Sequence, residues 1–271
     1  MFRFQDRTVD GIGRAGQQPV DRPAAGKDVY AGLMVEPPRI VVTVGLHSSA
    51  STWVFNVVRE LMAACLGPEN VLAIYAEDVP ALLAEQAVHG RHVVLKSHHG
   101  GVGWDSLLWL TRAPVFLSVR DPRDATMSLA QRFRVSLADA ARGIGQDCRR
   151  LQRCADAGHA VLRYEDKFFE DSALPGRIAE RLGLAVDAAI QREIFDRYST
   201  ASTRTFAANL AGLPPDRLVV TPDVTVDRVT QIHRTHIGDG RIGKWRDLPL
   251  QHGTELTQYF APFLARFGYD P

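Results

Sequence analysis

The chain has 271 residues, 45% of them hydrophobic and 23% charged, and a formal net charge of +1. That composition excludes a wholly disordered polypeptide and leaves ample apolar material for a core. Near-neutrality argues against broad binding of nucleic acid, but not against a local basic pocket for a small polyanion. Cys65, Cys148 and Cys154 form neither a disulfide framework nor a C-x-x-C pair. They fit a reducing, cytoplasmic setting, with Cys148 and Cys154 as helix filling rather than metal ligands. No apolar run approaches the roughly 18 residues of a membrane span. The first residues, MFRFQDRTVDG, carry charges where a secretory signal would be apolar.

Residues 1–38 are rich in glycine and proline, from Gly11 and Gly13 to Pro37 and Pro38. They hold no sustained period and read as a flexible or irregular N-terminal arm. Residues 39–271 read as one domain. Its first run, IVVTVGL from Ile40, is β-branched and continuous, as a strand buried on both faces should be. A hydroxyl-rich turn follows. Then comes a helix with Val54, Val57, Val58, Leu61, Met62 and Cys65 at helical spacing, stopped by Gly67 and Pro68. Further strands are expected at Val71–Tyr75, His92–Lys96, Pro114–Val119 and Ala160–Arg163. Helices are expected at Val79–Gln86, from about Ala125, over Ile178–Leu182 and over Ala188–Tyr198. The alternation predicts an α/β fold, a single domain with a central parallel sheet flanked by helices on both faces.

In such sheets ligands bind at the carboxyl ends of the strands. The turn after the first strand, His47-Ser48-Ser49-Ala50-Ser51-Thr52, sets hydroxyls and a helix N-terminus there, a combination suited to phosphate. A helix cap without a ligand would use the same residues. A Walker A loop needs G-x-x-x-x-G-K-[ST], and no lysine follows here, which disfavours an ATP-dependent kinase or a GTPase. Three more segments fall on the same expected edge: Lys96-Ser97-His98-His99, Arg120-Asp-Pro-Arg-Asp with Ser128 beyond it, and Gly240-Arg-Ile-Gly-Lys-Trp245.

Together these segments resemble the sulfotransferases that use 3′-phosphoadenosine 5′-phosphosulfate (PAPS). LHSSASTW, Leu46 to Trp53, falls on the family's Y-P-K-S-G-T-T-W. Lys96-Ser97-His98 falls on K-[TS]-H, and Arg120 to Ser128 on R-[ND]-P-[KR]-D-x-x-x-S. Tyr164-Glu165-Asp166 falls on Y-E-D, and Gly240 to Trp245 on G-x-x-G-x-W. The resemblance implies a P-loop-like fold and transfer of a sulfonate to a hydroxyl or amine of a small-molecule or glycan acceptor. The product nucleotide would be adenosine 3′,5′-bisphosphate (PAP). No metal is needed for the in-line attack.

Carried over residue by residue, the resemblance places Ser48, Ser49, Ala50, Ser51 and Thr52 on the phosphosulfate. It places Trp53 and Tyr164 at the adenine, and Arg120, Ser128, Gly240 and Arg241 at the 3′-phosphate. His98 becomes the general base, with Lys96 stabilising charge on the sulfonate. His99, Trp104 and Trp109 are expected at the acceptor, and a helix around Phe133–Ile144 is expected as a lid. The chain departs from the pattern at Ser48, where the family has lysine or arginine, and at Ala50 for glycine. Lys96, protonated His47, or Arg14, Arg22 or Lys27 of the arm could compensate; otherwise the protein binds the nucleotide and catalyses poorly. A degenerate P-loop kinase is a further alternative. The sequence leaves the acceptor and the oligomeric state open.

Overall fold

The computed structural model describes residues 36–85, 88–221 and 224–270. The expected arm lies outside them except for residues 36–38, as does Gln86. Five strands, β1 (Ile40–Gly45), β2 (Val71–Tyr75), β3 (His92–Ser97), β4 (Val115–Val119) and β5 (Ala160–Arg163), pair in the order β2-β3-β1-β4-β5. Every pairing is parallel, with Val42 opposite Leu95 on one side and Val115 on the other. The strand sequences run apolar without alternation because helices cover both faces. Val42, Val44, Val93, Leu95, Val115 and Leu117 point into one layer, and Val41, Val94 and Phe116 into the other.

Helix α1 (Ser51–Leu66) packs on the second face, with α6 (Leu174–Arg181) and α7 (Ala188–Arg197) against it. There Phe55, Val58, Leu61 and Met62 meet Ile178, Leu182 and Ile194. The first face is covered by α5 (Leu137–Asp156) and α9 (Leu250–Phe267), through Ile144, Leu151, Phe260 and Phe263. Short helices α2 (Val79–Ala84) and α3 (Trp104–Thr111) flank β3 in sequence, α4 (Pro122–Phe133) follows β4, and α8 (Thr200–Ala208) follows α7. A hairpin of β6 (Leu218–Val220) and β7 (Thr225–Asp227) forms a second, two-stranded sheet.

Several boundaries differ from the sequence reading: α6 starts at Leu174 rather than Ile178, and α2 ends at Ala84 rather than Gln86. Helix α4 starts at Pro122, where Asp121 caps it by accepting from the Arg123 N–H at 2.9 Å. The segment expected as a lid is no separate element. The chain breaks at Arg134, whose φ of 53° is left-handed, and α5 begins after the Ser136 cap. Ala140, Ala141, Ile144, Cys148, Leu151 and Ala155 form one apolar stripe, so α5 is a core helix. No described helix is long and apolar enough to cross a membrane.

Candidate active site

The carboxyl ends of the strands open into one cavity of about 1430 Å³. Its floor is the turn between β1 and α1. Ser48 and Ala50 hold left-handed backbone, with φ of 65° and 61°, and this coils the chain tightly before the helix. Gly45 makes that possible, because a Cβ there would overlap Ser51 and the Ser118 hydroxyl. No side chain caps α1, and while the Trp53 N–H donates to the Ala50 carbonyl at 3.0 Å, the Ser51 and Thr52 N–H groups lie at the positive end of the helix dipole without a partner among the described residues. His47, Ser48, Ala50, Ser51, Thr52 and Trp53 line the cavity. Ser49 does not line it: its hydroxyl donates to the Leu46 carbonyl at 2.6 Å and lies 2.8 Å from the Ser118 hydroxyl. These contacts hold the turn against β4.

Arg120 enters from the end of β4. It donates to the Ser48 carbonyl at 3.1 Å and to the Arg241 carbonyl at 2.8 Å, so it joins the two loops. Its guanidinium lies 4.3 Å from the Tyr164 ring centroid. Its Nε–H, and the Ser48 hydroxyl, are buried without a partner among the described residues. Such donors mark where an anion would sit. Ser128, Tyr164 and Gly240 also line this end. The glycine-rich loop is pinned to α4 by Asp124, which accepts from the Gly243 N–H at 2.6 Å and the Trp245 N–H at 3.0 Å. Arg241 contributes only its backbone here, since its guanidinium turns away to Asp247. Lys244 lines the cavity instead, paired with Asp239 at 3.5 Å.

At the other end Lys96 and His98 project from β3 and from the loop just beyond it. His98 Nδ1 donates to the Gly45 carbonyl at 2.5 Å, which leaves Nε2 as the acceptor of the Lys96 ammonium at 2.9 Å. Burial, then the neighbouring His47 and Lys96, push the His98 imidazole well below its ordinary range and keep it neutral. Burial pushes Lys96 down to about 8. Glu77 shapes the bend after β3. It accepts from the Ser97 hydroxyl and the His99 N–H, each at 2.9 Å, and bonds the Tyr75 hydroxyl.

His47 stacks on His98, with centroids 3.8 Å apart. Its Nδ1 and backbone N–H both reach Asp147 Oδ2, at 2.6 Å and 3.0 Å. The other oxygen of Asp147 lies 2.7 Å from His99 Nδ1, close enough to pair but off the hydrogen-bond line. Burial would raise this carboxyl, but the charge and hydrogen bond of His47, with His99, hold it well below the carboxylate range. His47, His98 and Asp147 have donor atoms within 4.8 Å of one another. Parallel stacked rings cannot aim both lone pairs at one ion, and Lys96 already occupies the His98 lone pair. As the side chains stand, the cluster is a hydrogen-bonded network.

The three residues expected at the acceptor lie elsewhere. Trp104 is 1% exposed in the core and donates to the Glu77 carbonyl at 2.7 Å. Trp109 is 78% exposed on α3, and His99 lies behind Asp147; none of the three lines the cavity. Tyr75, Ile74, Arg132, Phe133, His233 and His236 do line it. Arg132 follows Ser128 by one helical turn, a signal present in the sequence. Asp147 and Glu77 carried none, because their partners are set only by the fold.

No family model matches the chain, and no characterised protein matches it in sequence. Solved structures do match. Mouse sulfotransferase SULT7A1 complexed with PAP gives a TM-score of 0.60 at 12% identity, over 83% of this chain and 84% of that one. Retinol dehydratase with retinol and PAP gives 0.53 at 13%, over 85% and 82%. Retinol dehydratase with androsterone and inactive cofactor PAP gives 0.52 at 14%, over the same shares. The chain therefore has the fold of these PAP-bound sulfotransferases.

Proposed function

We propose that this protein is a PAPS-dependent sulfotransferase acting on a hydroxyl or amine of a small-molecule or glycan acceptor. The observation that carries the reading is convergence. Ser48, Ala50 to Trp53, Arg120, Ser128, Tyr164 and Gly240 face one cavity together with Lys96 and His98. The turn and the α1 N-terminus suit the 5′-phosphosulfate, and the open Nε–H of Arg120 suits the 3′-phosphate. Trp53 and Tyr164 offer apolar faces for adenine. PAP in the similar structures supports the same donor.

In this reading the donor's sulfonate draws the Lys96 ammonium off His98 Nε2. The freed lone pair then takes the acceptor's proton as its oxygen attacks sulfur in line. The new O–S bond forms as the bond between sulfur and the bridging oxygen breaks, and PAP leaves with that electron pair. Retinol and androsterone in the similar structures support a small hydroxyl compound as acceptor. His99, Trp104 and Trp109 have no place in this mechanism.

A second reading, a nucleotide-binding protein of low activity, is favoured by the uncharged Ser48. Transfer of labelled sulfonate from PAPS to a panel of phenols, alcohols, amines and sugars separates the two. Transfer that disappears in His98→Ala with PAP binding intact supports the enzyme. Tight PAP binding without transfer to any class, and without PAPS hydrolysis, supports the binding protein.

A further inference from the structure

A sulfonate transfer leaves negative charge on the oxygen that bridged sulfur and phosphorus, and a positioned donor there lowers the barrier. Ser48, Ala50, Ser51 and Thr52, which line the floor, carry no charge. The one ionisable side chain that the turn offers the cavity is His47. Its Nδ1 is held by a carboxylate that is 0% exposed, while its Nε2 makes no hydrogen bond within the described residues and the ring is 22% exposed.

His47 and His98 are stacked imidazoles in opposite surroundings. One nitrogen of His47 rests on a carboxylate, and the other is without a hydrogen-bond partner among the described residues. His98 rests on a carbonyl and a lysine ammonium, which favours a ring with a free lone pair once the lysine moves. Neighbouring titratable groups whose environments differ in this sense divide into an acid and a base.

We propose that His47, positioned by Asp147, is the acid of this site. As an imidazolium it donates Nε2–H to the bridging oxygen while His98 takes the acceptor's proton. The inference rests on the sulfotransferase reading. The O–S bond forms, the bond to the bridging oxygen breaks, and the electron pair goes to the departing phosphate, stabilised by the His47 hydrogen bond. Asp147 touches no reacting atom and acts through His47. The groups that bear on this proton are Asp147 from α5, His98, Lys96 and His99 from the end of β3, Glu77 from the loop after β2, and Arg132 from α4 through Lys96.

The test measures PAP release from PAPS, with water or 2-naphthol as acceptor, and PAP affinity in parallel. His47→Gln is expected to lower turnover about a hundred-fold, with PAP affinity and melting temperature close to wild type. Ser48→Lys, placed in the His47→Gln background, is expected to restore most of the loss, which a merely structural histidine would not allow. Asp147→Asn is expected to lower turnover with PAP affinity retained, and Ser48→Lys to relieve that loss as well, which a merely structural carboxylate would not allow. Wild-type turnover in His47→Gln overturns the proposal, as does a double variant that binds PAP yet stays as slow as His47→Gln. A wild-type protein that binds no PAP overturns the nucleotide reading and this inference with it. Intact transfer in His47→Gln overturns the inference alone.

Discussion

At the donor end of the cavity, the groups suited to phosphate come from short continuous segments: residues 46–53, 120–128 and 240–245. Much of what they offer is backbone, namely the α1 N-terminus, the left-handed Ser48 and Ala50, and the tie from Arg120 to two carbonyls. The proton-handling end is assembled across the fold. His47 meets Asp147 from 100 positions away, His98 meets Gly45 from 53, and Glu77 reaches back to the His99 N–H from 22. In the proposed reading, anion binding is thus a local property of strand-to-helix turns, whereas proton chemistry depends on tertiary neighbours of the two imidazoles.

The sharpest way to break this division is His98→Ala. Turnover is expected to fall between about 10² and 10⁴-fold in a single-turnover assay, with PAP affinity nearly unchanged. Equal losses of both would merge the two ends into one unit. Next in size is Trp104→Ala, which probes the floor beneath the acid–base end. The side chain is fully buried and its N–H is bonded, so urea unfolding is expected to show a loss of about 3–5 kcal/mol. A change confined to acceptor KM would return Trp104 to the acceptor site.

A smaller effect is expected in the pH profile. Lys96 sits at about 8, so its charge is complete well below that pH and is lost as pH rises through it. Turnover is expected to decline along that limb, and Lys96→Arg, which stays charged, should move the decline upward. A limb unmoved by this substitution would detach Lys96 from the sulfonate. The smallest effect is expected for Trp109→Ala. The ring is exposed and off the cavity, so acceptor KM should stay within experimental scatter. A clear rise would place α3 over the acceptor.

The same division explains what the sequence made legible. The central strands β1, β3 and β4 were readable because burial on both faces leaves largely apolar runs, and the edge strands β2 and β5 as apolar runs that are only partly buried. The segments proposed for the donor stood out because each carries fixed residue types at fixed spacing, and the fold brings them to one cavity. Roles within a motif were less legible: Ser49 turns inward to Ser118 and Arg241 outward to Asp247, choices made by the loop's neighbours. The expected lid dissolved into α5 because its stripe continues past Ile144 to Leu151 and Ala155. The residues expected at the acceptor fall off the cavity because an aromatic near a strand end serves core or pocket equally well, and only packing decides. Asp147 could not be found without the fold, since nothing in DCRRLQRC marks it as the partner of a histidine near β1.

The central claim is a donor site specific for a 3′-phosphate, and calorimetric titration with PAP, beside adenosine 5′-phosphate and an Arg120→Ala variant, tests it most directly. Wild type is expected to bind PAP far more tightly than adenosine 5′-phosphate. Arg120→Ala should erase that preference, at a loss of about a hundred-fold for a charge-assisted phosphate contact worth roughly 3 kcal/mol. Equal affinity for the two nucleotides, or a PAP affinity indifferent to Arg120, would contradict it.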